Sequence, residues 1–240
     1  MAKPRPWTVL PHEPFEKLED NLWTVAGKLP YGGMNRRMSV VRLDGGRLVL
    51  HNAVPLAEPA MRELEAFGAP TVLVVPNGFH RLDVHSWKER YPRLCVVCPP
   101  ESRLRVSKVV AVDGGWELLP RDPALEAIPI KAVRSGEAAL VVRSSGGARA
   151  SLLFGDTFMN IPHRRGLSGL VLRAFGSSGG PKVTAMAQFF TIRDQGATAG
   201  ALLELGLTPG LVRLVPSHGD IVDRDPKDVL DAVAFQLAGL

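Results

Sequence analysis

The chain has 240 residues, 45 % of them hydrophobic and 22 % charged, a length and balance with which a globular protein buries a core without disulfide or metal staples. No apolar run reaches the ~18 residues of a membrane-spanning helix, and the N-terminal stretch lacks the pattern of a secretory signal, so a cytoplasmic protein with no membrane partner is expected. The formal charge of +5 permits a nucleic-acid partner without favouring one. Lys and Arg are scattered, adjacent only at Arg36–Arg37 and Arg164–Arg165, and aromatics do not interleave with them.

Residues 1–20 are Pro-rich and mixed in charge, and are expected to lie as an irregular arm on the body. Residues 21–26 (NLWTVA) have strand character and Tyr31-Gly32-Gly33 marks a turn. Residues 38–43 and 47–50 (MSVVRL, RLVL), joined by Asp44-Gly45-Gly46, read as a hairpin. Over 55–67, Leu56, Met61, Leu64 and Phe67 fall near one helical face, with Gly68 as a stop. Residues 72–75 form an unbroken apolar run halted by Pro76-Asn77-Gly78, which predicts a buried strand, and 94–98 (LCVVC) predicts a second. Between them, 86–91 reads as a helix capped by Ser86. Two helix-flanked strands in succession indicate a parallel sheet. The CxxC spacing of Cys95 and Cys98 falls inside a strand, where side chains three apart face opposite ways, so two buried structural thiols are expected rather than a shared metal or disulfide.

After Pro100 the texture becomes that of a β-meander, with short apolar runs at 109–112, 116–119, 128–132, 138–143 and 150–154. Residues 163–181 are helical in part. A helix over 197–205 ends at Gly206, 211–215 is a last strand, and a helix from about 226 to 237 closes the chain.

Three strand-to-loop junctions each offer potential ligands: VLVVPNGFHRLDVH with His80 and His85, SLLFGDTF with Asp156, and VRLVPSHGD with His218. Loops beyond the carboxyl ends of strands in one sheet converge on a common crevice, and imidazole with carboxylate suits zinc, iron or manganese. Each residue also has a plainer reading. His80 and His85 suit solvated loop histidines, Asp156 a turn aspartate closing on its own backbone, and His218 a loop histidine donating to backbone. Asn77 fits a turn better than a site donor, and Asp83 suits an ion pair with Arg81 or Lys88. His51 and Asn52 end a strand near the presumed site, and His163 beside Arg164–Arg165 suits a solvated basic turn.

These stretches resemble the metallo-β-lactamase-fold superfamily over nearly the whole chain. MSVVRLDGGRLVLHNAV is similar to the fold's opening strands, with His51-Asn52-Ala53 where Asp-Thr-Gly is usual. TVLVVPNGFHRLDVHSWKERYPRLCVV resembles the strand, metal loop, helix and next strand around the family's HxHxDH motif, with His80 and His85 in its first and last places and Leu82 and Val84 in the two between. LLFGDTF is similar to the strand whose aspartate bridges two metals, which corresponds to Asp156, and LVPSHGD resembles the closing motif whose histidine binds the second metal, which corresponds to His218. The family's middle histidine falls near 133–136, where no histidine stands; neighbouring Glu137 is a candidate oxygen donor in its place. PNGFH with the following helix and Tyr91-Pro92 resembles a bacterial subfamily in which the metal motif is altered.

The resemblance implies an α/β fold, a metallo-β-lactamase-like four-layer αβ/βα sandwich with two mixed sheets, in a single domain over 1–240. It also implies a degenerate centre in which one zinc, iron or manganese ion is held by His85, Asp156 and His218, with His80 alongside. Asp156 would further act as the catalytic carboxylate that orients water for hydrolysis of a small-molecule ester, lactone, amide or phosphodiester. The alternative is a metal-free, non-catalytic member that binds a small molecule or a protein.

Overall fold

A computed structural model describes residues 5–30, 34–163 and 165–239; the turn expected at Tyr31-Gly32-Gly33 and Arg164 of the basic pair lie outside them. The first sheet runs in chain order through β1 (Glu16–Glu19), β2 (Leu22–Lys28), β3 (Asn35–Arg42), β4 (Arg47–His51), β5 (Ala69–Val74) and β6 (Cys95–Val97). Pairing is antiparallel up to β4 and parallel from there on. The change follows from the connections. The tight Asp44–Gly46 turn can only return the chain antiparallel, whereas α1 (Glu58–Phe67) and α2 (Val84–Arg90) carry it back to start a parallel neighbour.

A short helix, α3 (Arg103–Val106), leads to the second half, where β7 (Leu125–Pro129), β8 (Ala138–Ser144) and β9 (Arg149–Phe154) form a meander. Next come β10 (Met159–Ile161), α4 (Leu167–Ala174) and β11 (Gly180–Lys182), with β10 and β11 paired antiparallel. Two further helices, α5 (Ala185–Phe190) and α6 (Gln195–Gly206), precede β12 (Leu211–Pro216), which adds to β9 in parallel and gives a sheet of order β12-β9-β8-β7; α7 (Pro226–Ala238) ends the fold.

The layers follow from alternation along the strands. Val72 and Val74 of β5 meet Leu140, Val142, Leu153 and Val215 of the other sheet, so one face of each sheet closes on the other. Leu73 and Val75 point the opposite way, onto Met61 and Leu64 of α1 and Trp87 of α2. On the far side, Val141, Leu152 and Phe154 pack against Leu202 of α6 and Leu230 of α7. Helices, sheet, sheet and helices therefore stack as a four-layer αβ/βα sandwich with two mixed sheets. Each fully buried Leu or Val contributes about 1.5–3 kcal/mol, and the runs at 72–75 and 138–142 are apolar on both faces because both faces are covered.

Several sequence expectations shift. Residues 109–112 and 116–119 are not strands: the first is coil with Val110 buried, the second a 3-10 turn at Trp116–Leu118. Both pack as loops on existing clusters, Val109, Val110 and Val112 on the outer one and Trp116 and Leu119, half-buried, on the inter-sheet one, which a run of four residues can do without pairing. The run at 128–132 moves earlier, to β7. Ser86 is not the cap of α2, which starts at Val84; its Oγ donates to the Asp83 carbonyl at 3.0 Å. The arm is not wholly irregular either. It ends as β1, and Trp7 lies 5.1 Å from the Trp87 ring while its Nε1 donates to the Leu56 carbonyl at 3.2 Å. Cys95 packs toward the inter-sheet cluster and Cys98 into the outer one, both as free thiols, and burial pushes the Cys98 thiol up to about 11.

Candidate metal centre

Four parallel-paired strands, β4 and β5 in one sheet and β9 and β12 in the other, end at the same edge of the sandwich, and the loops beyond them meet. There the Arg37 N–H donates to the Ser217 carbonyl at 2.8 Å, stitching the two sheets together. Three side chains converge: the ligand atoms of His80, Asp156 and His218 lie within 4.8 Å of one another, the single such His/Asp group among the described residues. His80 Nε2 is 2.9 Å and His218 Nε2 3.5 Å from Asp156 Oδ1. The two imidazole rings are 5.2 Å apart.

Each member is set by its own loop. Beyond β5, the Asn77 side-chain oxygen accepts from the Phe79 N–H at 2.9 Å, an Asx turn that swings the chain so that His80 faces inward. The Asn77 Nδ2 donates to Asp156 Oδ2 at 3.0 Å, so this residue serves both the turn and the site. Beyond β9, the Gly155-Asp156-Thr157 turn is gripped by one buried carboxylate: Glu137 Oε1 accepts from Gly155 N at 2.9 Å and Thr157 N at 3.1 Å, and Glu137 Oε2 from Asp156 N at 2.9 Å. A Cβ on Gly155 would sit 2.7 Å from that carboxylate, so only glycine leaves room for the grip. Beyond β12, Ser217 N donates to the Phe154 carbonyl at 2.9 Å, and Gly219 (φ 95°) lets the backbone pass Asn160 where a Cβ would be 1.9 Å from its carbonyl oxygen.

Both histidines are oriented from behind. Asn52, at the end of β4 in a left-handed conformation (φ 66°), donates Nδ2 to the Arg37 carbonyl at 2.8 Å, which fixes its amide and turns Oδ1 to His80 Nδ1, 2.8 Å away. His218 Nδ1 donates to the Asn35 carbonyl at 3.0 Å. Each outer partner is an oxygen acceptor, so each Nδ1 carries a proton and each Nε2 is left to face Asp156.

The electrostatics follow. Burial opposes ionisation of Asp156, yet the charge and hydrogen bond of His80, with His218 and the Asn77 amide, hold its carboxyl well below the usual carboxylate range. Burial opposes protonation of His80 too, but the Asp156 carboxylate outweighs it and raises the imidazole above its ordinary value. For His218 burial prevails and the pKa falls. Burial and the neighbouring Asp156 charge raise the Glu137 carboxyl. Buried His51 is pushed down to about 3 by burial, with His80 adding to the effect, and its Nε2 has no hydrogen-bond partner.

Of the expected site residues, His80, Asp156 and His218 come together and His85 does not. His85 lies on α2 with Nε2 3.2 Å from Glu89 Oε1, a pairing of one helical turn. The expected set of His85, Asp156 and His218 is therefore replaced by His80, Asp156 and His218, because α2 begins before His85 and carries it away. The partner of Asp83 is neither Arg81 nor Lys88 but buried Arg36, with Arg5 Nη1 3.7 Å away. Glu137 does not offer an oxygen in the place of the missing histidine; its carboxylate is taken by backbone N–H groups. His163 Nδ1 hydrogen-bonds with Ser178 Oγ at 3.0 Å. The orienting roles of Asn52, Asn35 and Glu137 depend on contacts between distant stretches, and the sequence signals only that Asn52 follows a strand and Glu137 precedes one.

No protein-family model matches the chain, and no curated protein sequence does. Solved structures do. The DIM-1 metallo-β-lactamase exposed to ceftazidime is 13 % identical with a TM-score of 0.62, covering 95 % of this chain and 99 % of that one. A metallo-β-lactamase from Hirschia baltica is 12 % identical, with a TM-score of 0.60 over 93 % and 98 %. FIM-1 from Pseudomonas aeruginosa, in its mono-zinc form, is 11 % identical with a TM-score of 0.60 over 95 % and 96 %. The chain thus has the metallo-β-lactamase fold over almost its full length.

Proposed function

We propose that this chain is a hydrolase-like protein of the metallo-β-lactamase fold whose reduced centre holds one divalent ion on His80 Nε2, Asp156 and His218 Nε2. The observation that carries the reading is the commitment of both Nδ1 atoms to outer oxygen acceptors, Asn52 Oδ1 and the Asn35 carbonyl, with both Nε2 atoms aimed at one carboxylate oxygen. Metal-ligating histidines are oriented in this way. The donor set fits a borderline ion such as zinc, iron or manganese, and three protein ligands are the number that leaves a catalytic position open. Tetrahedral zinc with bonds of about 2.0–2.1 Å spaces its ligand atoms about 3.3 Å apart. The 3.5 Å of His218–Asp156 suits that spacing, and the 2.9 Å of His80–Asp156 needs to open by a few tenths of an ångström. A structural neighbour, FIM-1, was solved in its mono-zinc form, so a single ion has been seen in a protein of this architecture.

When bound, such an ion supplies Lewis acidity and a water made acidic near neutral pH. The chain's own part is positional. Asp156 stays ionised and, with one oxygen steadied by Asn77, is placed to orient a water against an ester, lactone, amide or phosphodiester. Glu137 keeps the Asp156 turn rigid, and the Arg36–Asp83 pair sets a compensated charge nearby.

The 2.9 Å hydrogen bond between His80 and Asp156 favours a second reading, in which a protonated His80 closes the site without metal and the protein is a non-catalytic binder of a small molecule or a protein. One measurement separates the two: metal content by mass spectrometry of protein purified without added metal or chelator, beside His80→Ala, Asp156→Ala, His218→Ala and His85→Ala. About one equivalent of ion, retained by His85→Ala and lost by the other three, supports the single-ion centre and justifies a screen of the four substrate classes. No ion, and no uptake on titration, leaves the metal-free reading.

A further inference from the structure

The stretch that follows β10 carries a surface that the candidate centre does not use. Between residues 162 and 193 the chain has five cationic residues, Arg164, Arg165, Arg173, Lys182 and Arg193, and no acidic one. These five charges equal the whole formal excess of +5, which leaves the rest of the chain neutral. The same stretch displays Leu170, Val171, Phe175, Met186, Phe189 and Phe190, all between 47 and 78 % exposed. Such a density of large apolar side chains at the surface marks an interaction site.

The two features share one scaffold. In α4, Leu172 faces the interior while Val171 and the following Phe175, one turn apart, face out. In α5, Ala187 is buried and Met186, Phe189 and Phe190 recur at helical spacing on the outer side, the two phenylalanine rings 4.9 Å apart. The helices touch end to end: a Cβ on Gly176 would lie 3.2 Å from that of Ala185. Arg165, Arg173 and Arg193 are exposed.

We propose that α4 and α5 dock this protein on an anionic lipid surface, with Phe175, Phe189, Phe190 and Leu170 entering the boundary between headgroups and acyl chains and the arginines facing lipid phosphate and carboxylate. Apolar anchors combined with basic charge are what reversible attachment to such a surface requires. Charge decides among occupants. A second copy of this chain would bring exposed Arg165, Arg173 and Arg193 against the same three cations, and a nucleic acid would not take up Leu170, Val171 and Met186. The apolar side chains protrude, which suits a fluid surface that needs no complementary groove. No helix among the described residues is long and apolar enough to cross a membrane, and the contact proposed here is one with its surface. The hairpin that carries α4 is tethered to the candidate centre, since the Asn160 N–H donates to the His218 carbonyl at 3.2 Å.

The test is co-sedimentation of the full chain with vesicles of phosphatidylcholine alone or with about 30 % phosphatidylserine, at about 0.1 M salt. The expected result is binding to the anionic vesicles, about tenfold or more weaker on the neutral ones and reduced at high salt. Phe189→Ser/Phe190→Ser and Arg165→Glu/Arg173→Glu should each lower binding about tenfold or more. All four side chains are exposed, so the variants keep the fold, which near-UV circular dichroism checks; were one pair to unfold, the other carries the test. Absence of binding to anionic vesicles overturns the proposal, as does binding that neither variant weakens. A dimer that Phe189→Ser/Phe190→Ser converts to monomer, without vesicle binding by the wild type, assigns the surface to a second copy and overturns it equally.

Discussion

Asn52 governs the centre at the scale of single residues. Its amide links the Arg37 carbonyl to His80, and it occupies a left-handed backbone conformation (φ 66°) that glycine also accepts. Asn52→Gly therefore removes the orienting oxygen and leaves the backbone unstrained. We expect zinc affinity to fall about 10–100-fold, the usual cost of losing an outer-shell partner, while His85→Ala, on the far side of the α2 start, stays within about twofold. Competition against a chromophoric chelator reads both; equal affinity in wild type and Asn52→Gly would dismiss the orienting role. The contrast between His80 and His85 also shows what single residues reveal in sequence. Both stand in one polar loop of the sequence, and choosing between them required knowing where α2 begins. One clue was present, the Glu89 four residues after His85, which suits an ion pair on a helix face. The Asn52–His80 contact spans 28 residues and rests on β4 and β5 lying side by side, so no local pattern announces it.

Among elements, the β9 exit depends on a residue from another strand's approach. Glu137 stands just before β8 and accepts three backbone N–H groups from the Gly155-Asp156-Thr157 turn. Glu137→Gln keeps the size but offers one acceptor and sets an amide N–H₂ against donors. With one or more buried N–H groups left unpaired, the loss is about 2–4 kcal/mol. Urea unfolding should show it as a lower midpoint at unchanged slope, and metal affinity should fall with it because the turn that presents Asp156 loosens. A midpoint within error of wild type would mean that the turn keeps its shape unaided. Most elements here were legible because their signals are strong and local: β5 and β8 as apolar runs buried on both faces, the β3–β4 hairpin from Asp-Gly-Gly, and α7 from its apolar spacing. The runs at 109–112 and 116–119 misled because a short apolar stretch reads alike whether it pairs in a sheet or packs as a loop beneath one, and it is Asp113 and Gly114, between the two runs, that reach the sheet edge at Val96 and Val97. Glu137 in turn reads as an ordinary acidic residue, since what it binds is backbone.

For the whole molecule, the decisive fact is that the three candidate ligands come from both sheets: His80 from the loop after β5, Asp156 and His218 from those after β9 and β12. An ion held by all three would tie the two halves together and stabilise the entire fold by mass action, by about 2.7 kcal/mol at a hundredfold excess over the dissociation constant. For a chain of this size that is a rise of about 5–10 °C in melting temperature. The pH dependence has a definite sign. In the metal-free protein His80 is raised above its ordinary 6.5 by Asp156, so its ion pair stabilises fully below that value, and the stabilisation is lost as pH rises through the folded pKa. The ion must displace that same proton, so its affinity falls about tenfold per pH unit once the pH is below the folded pKa of His80. His218, whose pKa burial lowers, holds its proton less tightly than an ordinary imidazole and so competes less with the ion than His80 does. Melting curves from pH 5.5 to 8.5, with zinc and with chelator, should therefore converge at the acid end and separate as pH rises: the zinc-loaded protein gains stability up to the ordinary 6.5 of unfolded His80 and is level above it, while the chelated protein is level below 6.5 and loses stability from there up to the folded pKa. Parallel curves across the range would show that no proton leaves the centre on metal uptake, and that His80 is not the ligand that bridges the two sheets.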